Sequence, residues 1–140
     1  MTDTVLVTGG SSGVGRSLVE HLSDRFSVVT VARRIGRLEE LFGEDENVHT
    51  YELDLAEPSR IEQRLSEIRS NHGPILYLIN NAAVNYSGTI QEVEDQPMIS
   101  SFRVNTISPV KILQELLPAM KRHDFGRVIN ITSGAPLDIP

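Results

Sequence analysis

Thr4-Val5-Leu6-Val7-Thr8-Gly9-Gly10-Ser11-Ser12-Gly13-Val14-Gly15 decides the fold class. The first five residues form a β-branched, apolar run with the composition of a buried strand. Glycines 9, 10, 13 and 15 follow, interleaved with Ser11 and Ser12. Val14, Leu18 and Leu22 then recur at helical spacing. Strand, glycine turn and helix in this order are what a phosphate-binding turn requires. A glycine backbone can turn tightly and pass close to a pyrophosphate, and the start of the next helix offers unpaired N–H groups with partial positive charge. Ser11 and Ser12 add hydroxyl donors. The spacing is Gly-x-x-x-Gly-x-Gly, and no Gly-Lys-Ser/Thr follows it, which excludes a P-loop. A merely flexible turn is the competing reading.

Outward from this turn, short apolar runs alternate with amphipathic segments. Ser27–Ala32, Val48–Leu53, Ile75–Ile79 and Arg127–Thr132 read as further strands. The unbroken run Ile75–Ile79 suits a strand covered on both faces. A short helix is expected over Gly36–Phe42. Another begins near Pro58, whose missing N–H costs nothing in a first turn, and carries Ile61, Leu65 and Ile68 on one face. A long helical pattern covers roughly Gln96–Arg122, with Ile99, Phe102, Thr106, Ile112, Leu113, Leu116 and Met120 on its expected buried side. Pro109 and Pro118 interrupt it, which predicts a kink and an early stop. Alternating strands and helices imply an α/β fold: a Rossmann-like, doubly wound parallel sheet with helices on both faces. No linker divides residues 1–140, which read as a single nucleotide-binding domain. Little chain follows the fifth strand, so the sheet reads as incomplete on its C-terminal side, with a bare edge.

The 140 residues are 39% hydrophobic and 23% charged, which excludes wholesale disorder. A net charge of −6 argues against a nucleic-acid partner. There is no cysteine, hence no disulfide framework or thiolate chemistry. The apolar runs are far shorter than a membrane span, and the N-terminus lacks a signal-peptide pattern, so a soluble cytoplasmic protein is expected. His21, His49, His72 and His123 form no zinc-binding spacing and read as surface residues; no metal site is expected.

A dinucleotide site of this kind usually places an acid at the end of the second strand, on the ribose 2′-hydroxyl. Here that position reads Val31-Ala32-Arg33-Arg34, with no acid. Guanidinium pairs bidentately with phosphate, so Arg33 and Arg34 point to an adenosine 2′-phosphate and to NADP(H) rather than NAD. A solvated basic loop is the alternative.

The stretch from Thr8 to Gly15 resembles the glycine motif of the short-chain dehydrogenase/reductase family, and the likeness continues along the chain. It implies that Gly9, Ser11, Ser12, Gly13, Val14 and Gly15 seat the pyrophosphate. It implies that Asp54-Leu55, after the third strand, contacts the adenine, although Asp54 before Pro58 equally suits a turn. Asn80-Asn81-Ala82-Ala83 resembles the family's Asn-Asn-Ala-Gly, with Ala83 in place of the glycine; Asn81, Ala82 and Ala83 are the implied cofactor wall. Val104-Asn105 resembles the family's catalytic asparagine, which distorts its helix and holds a water in a proton relay. A helix-kink residue upstream of Pro109 is the plainer reading. Gly126–Ser133 resembles the stretch leading to the catalytic serine, so Ser133 is the implied partner of a substrate carbonyl; otherwise it is a turn residue.

The family's proton donor is the tyrosine of Tyr-x-x-x-Lys, which would fall past Pro140. Tyr51, Tyr77 and Tyr86 are followed four residues on by Leu55, Asn81 and Ile90, and the lysines are Lys111 and Lys121. The resemblance thus covers the cofactor half of a typical member. It implies hydride transfer between NADP(H) and a small carbonyl or secondary alcohol, in a homo-oligomer (dimer or tetramer), once the remainder is present. The alternative is a non-catalytic NADP(H)-binding module or an inactive fragment. Tyr86-Ser87 and Pro136–Ile139 are expected to border the substrate.

Overall fold

A computed structural model describes residues 2–133. Five parallel strands form one sheet in the order β3-β2-β1-β4-β5. They are β1 (Thr4–Thr8), β2 (Ser27–Ala32), β3 (Val48–Glu52), β4 (Ile75–Asn80) and β5 (Arg127–Asn130). The helices are α1 (Gly13–Leu22), α2 (Ile35–Phe42), α3 (Ile61–His72), α4 (Asp95–Phe102) and α5 (Ser108–Arg122). The expected doubly wound, Rossmann-like architecture is the observed one.

Side chains alternate across a strand, so β1 feeds two cores. Val5 and Val7 meet Val19 of α1 and Leu38 and Phe42 of α2. Leu6 faces the other way, onto Ile61, Leu65 and Ile68 of α3 and Ile112, Leu116 and Met120 of α5. Burying one such side chain is worth roughly 1.5–3 kcal/mol, and the helices hold to the sheet through these faces. The chain order reverses between β1 and β4. Crevices at the C-terminal ends of strands flanking such a reversal are where α/β sheets hold ligands.

Strand and helix limits differ slightly from the sequence reading. β3 ends at Glu52 and β5 at Asn130, while α2 starts at Ile35. Pro58–Arg60 forms a 3₁₀ turn that leads into α3. The larger correction concerns the long helix. It is α4, a π-helical segment over Arg103–Ile107, and α5, running without a break to Arg122. Pro109 falls in the first turn of α5, where it needs no N–H. Pro118 lies inside α5 yet does not stop it. Leu116, Ala119 and Met120 are buried around it, and Arg69 of α3 donates to the Glu115 carbonyl at 2.7 Å. The Gln114 carbonyl loses its helical donor at Pro118, and the burial of this face of α5 offsets that loss.

The expected buried face of this helix is buried only in its second half. Ile112, Leu116 and Met120 are in the core, but Ile99 and Phe102 are exposed, as is Thr106. Val104 takes the buried position instead, because the π segment rotates the face by part of a turn. Every residue of β5 is exposed among the described residues.

Candidate functional site

An open cleft of about 860 Å³ lies over the C-terminal ends of the strands, at the reversal between β1 and β4. The glycine turn forms its floor. Gly9 adopts φ +76°, and its backbone N–H donates to the Val31 carbonyl at 3.1 Å. A Cβ on Gly9 would sit 2.9 Å from the Ala82 Cα, and one on Gly15 would collide with the Gly9 carbonyl and Asn81 Nδ2. Only glycine lets the turn close down on the end of β4 at these two positions.

Thr8 and Asn81 fasten that closure. The Thr8 hydroxyl oxygen accepts from the backbone N–H of Asn81 and of Ala82, at 3.1 and 3.0 Å. Asn81 Nδ2 in return donates to the carbonyls of Thr8 and Gly9. Ser12 precedes α1 in extended conformation and makes no side-chain cap, so the first N–H groups of α1 are left for a ligand.

Gly9, Ser11, Ser12, Val14 and Gly15 all line the cleft. Gly13 stands at the start of α1, exposed, with φ +53°. Arg33 and Arg34 leave β2 at the rim, both exposed and both lining the cleft. Asp54 and Leu55 line it as well, although the Leu55 side chain is buried in the core. Asp54 also has the turn role: its Oδ1 accepts from the Ala56 N–H at 2.8 Å. Asn81, Ala82 and Ala83 complete the wall beside β4.

Asn105 lies in the π segment, so the helix distortion is present at the position the resemblance marks. Its side chain is committed: Nδ2 donates to the Val84 carbonyl at 2.8 Å and Oδ1 accepts from the Val84 N–H at 2.9 Å. The residue four further on is Pro109, which has no N–H to give to the Asn105 carbonyl. The neighbouring Ser108 N–H reaches back five residues to the Arg103 carbonyl, and the Ser108 hydroxyl donates to the Leu55 carbonyl at 2.7 Å. Ser133 lies exposed just beyond β5, past Asn130, whose Oδ1 accepts from Asn80 Nδ2 at 2.9 Å. Tyr86 and Ser87 are exposed in the connection between β4 and α4; Pro136–Ile139 lie outside the described residues.

Several residues of the site were not read from the sequence. Thr8 belongs to the turn motif, but its double acceptor role depends on β4. Val104 reaches the wall through the π segment. Arg37 and Glu40 of α2 line the rim beside Arg33 and Arg34. Their helical spacing was visible; the direction of that face was not. Among the described residues there is no cluster of metal-ligating side chains, and no helix is long and apolar enough to cross a membrane.

The histidine reading needs a correction. His49 and His72 are half-buried and stack, with ring centroids 4.1 Å apart. His72 Nε2 is 2.8 Å from the Tyr51 hydroxyl, which also accepts from Asn71 Nδ2 at 3.1 Å. Burial, and secondarily the charge of His49, lowers the His72 pKa below its ordinary 6.5. The network lies away from the cleft.

The sequence profile of the short-chain dehydrogenases matches residues 3–138. The chain belongs to the short-chain dehydrogenase family. It is 36% identical to L-xylulose reductase of Mesocricetus auratus, over 93% of this chain and 52% of that protein. It is 26% identical to human 17-beta-hydroxysteroid dehydrogenase 13, over 99% of this chain and 49% of that protein. Among solved structures, a metagenomic short-chain oxidoreductase in complex with NADP superposes with a TM-score of 0.88 at 26% identity, covering 94% of this chain and 62% of that one. The chain thus spans about half the length of the curated relatives it matches.

Proposed function

We propose that this chain is the nucleotide-binding domain of a cytoplasmic, homo-oligomeric oxidoreductase that uses NADP(H) to interconvert a small-molecule carbonyl and a secondary alcohol. The observation that carries the reading is the Arg33–Arg34 pair on the rim of a glycine-floored cleft, where an NAD site would carry an acid. The cleft has the volume usual for small-molecule sites. Its floor is a turn that Gly9 and Gly15 let pack directly against the end of β4, where a Cβ at either would collide. That donor set fits a dinucleotide: backbone N–H groups at the head of α1 for the pyrophosphate, guanidiniums for a phosphate on the ribose. The NADP complex of a structural relative and the reductase among the sequence relatives support the same reading.

NADP(H), when bound, supplies or accepts the hydride. Arg33 and Arg34 hold the 2′-phosphate, Asp54 and Leu55 border the adenine, and Asn81, Ala82 and Ala83 form the wall along the ribose. Ser133 donates a hydrogen bond to the substrate carbonyl and thereby polarises it. Asn105 spends its side chain on Val84, so its backbone carbonyl is the group offered to a water. The protonation of the nascent alcohol requires a group with a lowered pKa in hydrogen-bond reach, and no tyrosine in these 140 residues stands in Tyr-x-x-x-Lys.

The test separates binding from turnover in the intact native protein. Replacing Arg33 and Arg34 together with alanine is expected to weaken NADP⁺ binding roughly 100-fold or more, the loss of two charge-assisted contacts, and to leave NAD⁺ binding unchanged. A panel of small ketones and aldehydes should be reduced with NADPH. Unchanged NADP⁺ affinity in the double variant contradicts the cofactor assignment. Tight NADPH binding without turnover of any carbonyl leaves the non-catalytic module.

A further inference from the structure

The acid missing from the end of β2 is not missing from the cleft. Glu40 lines it from α2, together with Arg37. Arg37 Nη1 lies 3.2 Å from Glu40 Oε2, three residues apart on one face of the helix. Both side chains are open to water, at 52% and 71% exposure. Gly36, between Arg34 and Arg37, also lines the cleft, and a Cβ there would meet nothing within 4 Å. The approach from the cleft to Arg37 is therefore free of any intervening side chain at that position.

We propose that Arg37 is a third ligand for a phosphomonoester at this rim, and that Glu40 tunes its strength. The inference rests on the NADP(H) reading and extends it to two residues on α2. A guanidinium has five N–H donors in a planar fork, so Arg37 can keep Glu40 on one edge and turn another to phosphate oxygens. Arg33, Arg34 and Arg37 against Glu40 leave a surplus of two positive charges where β2 passes into α2, with Asp54 lining the cleft after β3. A phosphomonoester at neutral pH carries up to two negative charges. Without Arg37, its charge would face Glu40 with less compensation. Without Glu40, the rim would attract any polyanion more strongly. The ion pair is solvent-exposed and readily exchanged, which suits a contact that must form and release with the ligand.

The test uses 2′,5′-ADP and 5′-AMP as probes, alongside NADP⁺ and NAD⁺, with calorimetric titration of the intact protein. Arg37→Gln is expected to weaken 2′,5′-ADP and NADP⁺ binding about tenfold, the size of one charge-assisted hydrogen bond, and to leave 5′-AMP and NAD⁺ unchanged. Glu40→Gln is expected to tighten the two 2′-phosphorylated probes a few-fold and to steepen their dependence on salt. Both positions are exposed, and an unchanged melting temperature will show that the fold is retained. Equal affinities of Arg37→Gln and wild type for 2′,5′-ADP would overturn the proposal. So would a loss of NAD⁺ binding in Glu40→Gln, which would make Glu40 an acceptor for the ribose hydroxyl. If wild type binds 5′-AMP as tightly as 2′,5′-ADP, the NADP(H) reading itself fails. A wild-type preference for 2′,5′-ADP that survives in Arg37→Gln undiminished removes this inference alone.

Discussion

β1 and β5 are both short parallel strands with apolar side chains, yet every residue of β1 is buried and every residue of β5 is exposed. Leu6 and Val7 in β1 are fully covered, whereas Val128 and Ile129 in β5 are 40% and 52% exposed. The difference is one of neighbours rather than composition. β1 pairs with β2 and β4 and is covered by helices on both faces; β5 pairs with β4 along one side. The glycine turn grows out of β1, so the cleft stands on the best-packed strand of the sheet. Ser133, the implied contact to the substrate, follows the most exposed one. A rigid scaffold under a site fixes its geometry, and among the described residues that support lies under the glycine turn.

The largest expected effect tests this contrast directly. Leu6→Ala should destabilise the fold by about 2–5 kcal/mol, the usual cost of truncating a fully buried leucine. Ile129→Ala, at a position 52% exposed among the described residues, should cost less than Leu6→Ala. Chemical denaturation of the two variants measures both; equal losses would mean that β5 is as well supported as β1.

A smaller effect sharpens the link between β1 and the cleft. Gly15→Ala places a Cβ against the Gly9 carbonyl and Asn81, and overpacking of this kind costs about 1–3 kcal/mol. The distortion falls on the turn itself, so NADP⁺ affinity should drop by more than the stability loss alone explains. Unchanged affinity, measured by titration below the melting transition, would detach the turn from the ligand.

The smallest effect lies at the other edge of the sheet. Burial, and secondarily the charge of His49 stacked against it, lowers the His72 pKa. The unfolded chain therefore binds a proton more readily than the folded one. Stability from this network is fully present above pH 6.5, the ordinary histidine value, and is lost as the pH falls from there through the lower folded value. Thermal melts of wild type and His72→Gln across that range should show a shallower acid slope in the variant. Identical slopes would assign the loss to other groups.

Much of the architecture was legible because it depends on local patterns. The run from Thr4 to Gly15 shows strand, turn and helix by composition alone, and the arginines after Ala32 show the missing acid. The rest required long-range packing. Pro118 reads as a stop, and only the burial of Leu116, Ala119 and Met120 explains why α5 continues. The π segment around Asn105 follows from Pro109 together with the bonds of Asn105 to Val84 and of Ser108 to Leu55. Neither partner is near in sequence. Glu40 enters the rim because of how α2 lies on the sheet, which the sequence spacing does not state. His72 looks like a helix-end surface residue until β3 brings His49 and Tyr51 against it.

Arg33 and Arg34 above β2 suit the cleft to a 2′-phosphorylated dinucleotide in the proposed function. Titration of the intact native protein with NADP⁺ and NAD⁺ at one salt concentration tests it most directly. NADP⁺ is expected to bind more tightly by roughly 100-fold, the worth of two guanidinium–phosphate contacts. Equal affinities, or tighter binding of NAD⁺, would contradict it.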